Sequence, residues 1–281
     1  MKIAILSDIH GNLPALQIVS AHIEAWRPDY VFVDGDVVNR GPKPAACLNF
    51  VRVKEKTSGW RLIQGNHETY VAAHAENGRS PENGRDFDIN RPSYWTYQQL
   101  NGAAAGLADW PASSTVTAPD GSKAHITHAS RRGNRDSILP HTPIAKVRQQ
   151  IAPAPALFAT AHIHHAFIRR VDETLIVNSG SAGQLCYGDT RASYAQIVWQ
   201  NGRWRAKIIY LDYDMVQTAR DFHESGFLDG AGPVARIIYH EWRTGRSLVP
   251  RWLSLYRPAV VAGEIDLETA VDRYLTQMQI E

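Results

Sequence analysis

The sequence predicts an α/β fold with a helical C-terminal appendage. Three observations carry this. Short apolar runs alternate with helix-periodic segments in the first third. Turn signals then separate further short strands up to residue 212. Beyond Asp214 the patterning is helical. In chain order, residues 2–7 form a buried strand. Asn12 caps a helix whose apolar face is Leu16, Val19, Ile23 and Trp26, at steps of three and four. Residues 30–34 are the second strand. A proline-rich helix start follows at 42–44, with Ala46, Cys47, Phe50 and Val51 beyond it. Residues 60–64 are the third strand. Strand–helix–strand repetition implies right-handed crossovers and a parallel sheet. Residues 78–92, rich in Gly, Asn, Arg and Asp, are expected to form an exposed loop or lid. Strands at 113–118 and 124–127 flank a Pro-Asp-Gly-Ser turn, and 156–160, 167–171 and 175–178 follow. Strands 194–199 and 204–211 flank Asn201-Gly202, a hairpin signal. Asp214 and Gln217 have capping-box spacing, and Gly226 marks a helix stop. A last helix carries Leu267, Ala270, Val271, Tyr274, Leu275 and Met278 on one stripe. We read 1–212 as one α/β unit and 213–281 as the appendage.

Composition narrows the function classes. The 281 residues are 44% hydrophobic and 21% charged, which excludes a disordered chain. The net charge of +2 gives no strong basic field for a polyanion, so a nucleic-acid partner is not expected. No stretch reaches the ~20 apolar residues of a membrane span. The two cysteines cannot make a disulfide framework and fit a reducing compartment. The opening MKIAILSDIHGN lacks a signal-peptide core, so the expected location is the cytoplasm.

Polar residues fall just past the carboxyl ends of the proposed strands. Asp8 and His10 follow the first, Asp36 the second, and Asn66, His67 and Glu68 the third. His128 follows 124–127, and His162 and His164 follow 156–160. That edge is where open α/β sheets bind ligands. Two carboxylates, an amide oxygen and four imidazoles form a mixed O/N donor set. It suits divalent Mn, Fe, Zn, Co or Ni better than Ca or Mg alone, and the lack of cysteine argues against structural zinc. Seven donors are too many for one catalytic metal but fit two ions sharing a carboxylate, an arrangement that serves phosphoryl transfer. Gly11, Gly35, Gly41 and Gly65 sit beside these donors and permit close backbone approach.

The segments Asp8-Ile9-His10-Gly11-Asn12, Gly35-Asp36-Val37-Val38-Asn39-Arg40-Gly41, Gly65-Asn66-His67-Glu68, Thr127-His128-Ala129 and Ala161-His162-Ile163-His164 resemble the calcineurin-like metallophosphoesterase superfamily. Asn178-Ser179-Gly180-Ser181-Ala182-Gly183-Gln184 resembles the next segment of its small bacterial phosphodiesterase-like branch. The resemblance implies a two-sheet β sandwich flanked by helices, a four-layer αββα arrangement. It implies two divalent transition-metal ions, manganese first, with iron, zinc, nickel or cobalt as alternatives. Asp8, His10 and His164 would hold one ion, Asn66, His128 and His162 the other, and Asp36 would bridge them. His67 would be general acid, and Arg40 a phosphate contact. The implied reaction is hydrolysis of a phosphodiester by metal-bound hydroxide, on a small-molecule or nucleotide substrate. A phosphomonoesterase or phosphoprotein phosphatase is the alternative, encouraged by Arg40, and a catalytically silent metal-binding scaffold is the alternative outside catalysis. The sequence departs from the family pattern at Asn39, where aspartate is usual, and at Ala129 and Ala161, where glycine is common.

Other residues carry less. His125, an odd offset from His128, points to the opposite face of its strand. His165 is read as a loop histidine. Arg131, Arg132 and Arg135 are weighed equally as a solvated basic loop and as anion contacts. The stripe on the last helix is read as docking within the chain, with a contact between copies of the chain as the alternative.

Overall fold

The computed structural model describes residues 1–76 and 84–280. Its strands form two five-stranded mixed sheets. In the first, β1 (Lys2–Leu6) pairs parallel with β2 (Tyr30–Asp34) and antiparallel with β9 (Ala192–Gln200). β3 (Arg61–Ile63) extends one edge and β10 (Arg203–Leu211) the other. In the second, β5 (Lys123–Thr127), β6 (Leu157–Thr160) and β8 (Thr174–Asn178) run parallel. β4 (Ser113–Thr117) and β7 (Phe167–Val171) are its antiparallel edges.

The alternation of side chains along each strand builds the layers. Ile3 and Ile5 face the second sheet and pack with Ile126, Leu157, Ala159 and Val177. Ala4 and Leu6 face outward. There they meet Leu16, Val19 and Ile23 of α1 (Leu13–Trp26) and Cys47 and Val51 of α2 (Pro44–Ser58). On the far side, Val147 and Ile151 of α5 (Ile144–Ile151) cover Phe158 and Ile176. The result is the expected helix–sheet–sheet–helix order. Asn12 caps α1 through its side chain, 3.3 Å from the Ala15 amide.

One expectation is overturned. A 15-residue helix, α4 (Arg85–Gln99), begins inside the segment 78–92 expected to be a loop. Residues 78–83 of that expectation lie outside the described residues. Pro92 sits inside α4, which is why the composition suggested a loop. Packing outweighs the missing hydrogen bond, because Ile89 and Trp95 are buried against the C-terminal helices. Those helices are α6 (Met215–Glu224), α7 (Phe227–Gly230), α8 (Val234–Thr244), α9 (Val249–Ala262) and α10 (Leu267–Gln277). Their shared core includes Phe222, Phe227, Trp252 and Tyr274, and the predicted stripe of α10 packs into it. Asp214 caps α6 as expected, but the Gln217 side chain donates to Asp221, so the capping box is only half made.

Candidate metal centre

Both sheets point the carboxyl ends of their parallel strands at one rim. The β1–β2 pairing continues past the strands: the amides of Asp8 and His10 donate to the carbonyls of Gly35 and Asp36, each at 3.0 Å. The second sheet reaches across to the first. The His162 amide donates to Asp8 Oδ2 at 3.1 Å, and His128 Nδ1 donates to the Asp34 carbonyl at 2.7 Å. The segment after β8 braces the floor, with Ser181 Oγ donating to the Asp8 carbonyl at 2.7 Å. Five of the seven predicted donors (Asp8, His10, Asp36, His162 and His164) have positive φ. Left-handed backbone is costly for such residues and gathers where surrounding structure overdetermines it. Gly35 and Gly41 are needed here. A side chain at Gly35 would meet His128 Nδ1 at 2.6 Å, and one at Gly41 would collide with the His10 carbonyl.

All seven predicted donors converge. Ligand atoms of Asp8, His10, Asp36 and His164 lie within 4.8 Å of one another, and so do those of Asp36, His128 and His162. Asp36 is common to both groups. Asn66, at the start of α3 (Asn66–Glu76), brings its Oδ1 to 3.0 Å from His128 Nε2.

The orientation of the rings tests whether cations fit. His10 Nδ1 lies 3.2 Å from the Asn39 carbonyl, and His128 Nδ1 faces the Asp34 carbonyl. Carbonyls only accept, so both Nδ1 atoms carry hydrogen and both Nε2 atoms are free to present lone pairs. The His10 lone pair faces His164 Nε2 at 3.0 Å. That of His128 faces Asn66 Oδ1 and Asp36 Oδ2, at 3.0 and 3.3 Å. Asp8 Oδ1 is buried without a hydrogen bond, 3.2 Å from His164 Nε2. Such crowding of acceptors is favourable only around positive charge, and the donor set fits divalent transition metals.

Without metal, protons supply part of that charge. Burial opposes protonation of His128 and His164, but Asp36 and Asp8 respectively outweigh it. His128 is held well above its ordinary range and His164 is pushed up to about 10. Burial drives His10 and His67 well below theirs and, with His128 nearby, takes His162 down to about 4. Burial would raise Asp36, but His128 first, then His67 and His10, hold it well below the usual carboxylate range.

Glu68 was visible at a strand end, but its task was not. It is fully buried, and its carboxylate accepts the amides of Asp36, Val37 and Gly65 at 2.7, 2.8 and 2.9 Å. It therefore fixes the turn that presents Asp36. Burial first, and Asp36 second, raise its carboxyl to about 7. Glu68→Gln should weaken metal affinity by about 10- to 100-fold, the range for partners that orient ligands. Calorimetric titration of manganese into the metal-free protein would measure it, and unchanged affinity would contradict this role.

The site opens into a cleft of about 1100 Å³. His67, Arg40 and Asn39 line it beside the donors, and Ile238, Val249 and Leu253 of the C-terminal helices form part of its far wall. Of the three arginines after His128, only Arg135 lines the cleft, its guanidinium 4.4 Å from the Tyr70 ring. Arg131 donates to the Ile151 carbonyl and Arg132 pairs with Asp136. His125 is buried facing away, hydrogen-bonded to Thr115, and His165 stacks on Tyr187. Cys47 and Cys186 are free and buried. Ala129 and Ala161 are buried, and the Ala161 amide donates to the His128 carbonyl at 2.9 Å.

The two-sheet fold and the buried Asp/His cluster that could hold metal point to a metallophosphoesterase, and the comparisons show the family. The chain belongs to the calcineurin-like phosphoesterase superfamily, whose domain model matches residues 1–202. The structure is similar to a metallophosphoesterase from Sphaerobacter thermophilus, with TM-score 0.65 and 25% identity over 87% of this chain and 100% of that one. It also shares the fold of the hypothetical protein PH1004 from Pyrococcus horikoshii OT3, with TM-score 0.69 and 18% identity over 83% of this chain and 97% of that one. A symmetrical bis(5'-nucleosyl)-tetraphosphatase of Actinobacillus pleuropneumoniae serotype 5b (strain L20) is 33% identical over 75 residues, 26% of this chain. The match spans about a quarter (27%) of that relative's length. Among the described residues, no helix is long and apolar enough to cross a membrane.

Proposed function

We propose that this phosphoesterase hydrolyses a phosphodiester with two divalent transition-metal ions, manganese foremost. The observation that carries the reading is the sharing of Asp36 between two converging donor groups. Asp8, His10 and His164 would hold one ion, Asn66, His128 and His162 the other, and Asp36 both. Bound there, the pair would activate water and neutralise phosphate oxygens.

The chain's own groups do the rest. Arg40 offers guanidinium donors to a phosphate oxygen from the cleft wall. His67, 8% exposed, holds Nε2 3.9 Å from Asp36 Oδ2, beside the expected position of the phosphate. It is the proton donor for the leaving oxygen. The cleft is of a size that takes nucleotide-like substrates, and the tetraphosphatase relative supports a nucleotide as the substrate class. The same reading takes 1–212 as the catalytic unit and 213–281 as an appendage, and sets the enzyme in the cytoplasm.

The test is a rate comparison on manganese-loaded protein. Bis-p-nitrophenyl phosphate should be hydrolysed faster than p-nitrophenyl phosphate, and chelation should stop both. The reverse preference would establish the phosphomonoesterase reading that Arg40 favours. Metal binding with no turnover of any ester would leave only a scaffold.

A further inference from the structure

We propose that Glu241, supplied by α8, is a positioning residue that holds Arg40 for phosphate binding. The proposal rests on the phosphate role of Arg40 given above. Glu241 lies beyond the segment matched by the superfamily model, which ends at residue 202. Its side chain is 1% exposed.

The carboxylate is fixed from two sides. Oε2 accepts the amides of Leu248 and Val249 at 2.6 and 2.7 Å, at the start of α9. Oε1 accepts Gln184 Nε2 at 2.8 Å and lies 3.6 Å from Arg40 Nη1. Gln184 belongs to the same loop as Ser181, which braces the Asp8 carbonyl, so the anchor is continuous with the floor of the site. A buried carboxylate needs a countercharge, and Arg40 is the cation paired with it. At 3.6 Å the contact is an ion pair that leaves most guanidinium N–H groups uncommitted. Arg40 therefore stands with its charge located by Glu241 and with donors left for an anion in the cleft.

Preorganisation of this kind appears in binding more than in the chemical step. Glu241→Gln keeps the shape and one acceptor oxygen but removes the charge. In the full-length, manganese-loaded enzyme it should raise the calorimetric Kd of inorganic phosphate about 5- to 10-fold and raise KM in step, with a smaller change in kcat. Metal content should stay at the wild-type value. Arg40→Ala should weaken phosphate binding at least as much, and adding Glu241→Gln to it should cause no further loss.

Equal losses from Glu241→Gln in the presence and absence of Arg40 would overturn the proposal. So would an inert Glu241→Gln beside a damaging Arg40→Ala. An inert Arg40→Ala would instead remove the phosphate role of Arg40 on which the proposal depends. Should Glu241→Gln not fold, Glu241→Asp serves. It keeps the charge but withdraws it by one methylene, so a smaller rise in Kd is expected, and a wild-type Kd would refute the positioning role.

Discussion

Asp36→Asn is expected to cost at least about 10³-fold in kcat/KM, roughly 4 kcal/mol, and to release both metals together. Asp36 belongs to both donor groups. Its Oδ2 lies 3.3 Å from His128 Nε2 and 3.8 Å from His10 Nε2, and its Oδ1 accepts the His67 amide at 2.9 Å. Asparagine can keep the bond to His67 with its one oxygen. It then presents an NH₂ group toward the lone pairs of the imidazoles, and the shared negative charge is gone. Metal analysis after dialysis checks this directly. Wild-type stoichiometry in Asp36→Asn would mean that Asp36 does not bridge.

In the metal-free protein His164, pushed up to about 10, carries a proton at pH 7, and His128 is shifted in the same direction. A proton on the ligating nitrogen must leave before the ring can bind metal. Metal loading at pH 7 should therefore release protons, that of His164 among them, and affinity should rise as pH is raised from 7 toward 10. Calorimetry in buffers of different ionisation enthalpy counts the protons. No release would show that His128 and His164 are not ligands.

The donor cluster was legible because its residues follow strand ends, where chain order translates into spatial order. Asp8, Asp36, Asn66, His128 and His162 each occupy such a position, and the parallel strands of two facing mixed sheets bring the ends together. The helix α4 was not legible. Its proline and polar residues satisfy a loop pattern, and only burial of Ile89 and Trp95 against helices more than a hundred residues later decides otherwise. Glu68 escaped assignment because its partners are backbone amides, which leave no trace in residue types. Glu241 escaped because its partners Arg40 and Gln184 are far away in sequence. Local pattern thus identifies the candidate donor groups, while the groups that hold them in place are identified by tertiary contact.

His67→Asn should lower kcat by about 10²- to 10⁴-fold on esters with poor leaving groups while retaining most of the metal. The geometry fixes which nitrogen would donate. Asn39 Oδ1 accepts the Arg40 amide at 2.8 Å and the Thr96 hydroxyl at 3.4 Å, so its NH₂ group faces His67 Nδ1 at 2.8 Å. Nδ1 is then the acceptor, and the ring proton sits on Nε2. Burial lowers the pKa of this ring, so as the proposed donor it would hold its Nε2 proton as a neutral imidazole near neutral pH. Such a donor matters most when the departing oxygen is strongly basic. The penalty should therefore shrink for p-nitrophenyl esters, whose leaving group needs little protonation. Asn39→Asp reverses the local bond: a carboxylate accepts from Nδ1–H, favours the charged ring and raises its pKa. That variant should gain most on alkyl esters, and its rate on them should fall as pH rises through the new pKa. A rate for His67→Asn equal to wild type on an alkyl diester would remove His67 from proton transfer and leave it as a wall of the cleft.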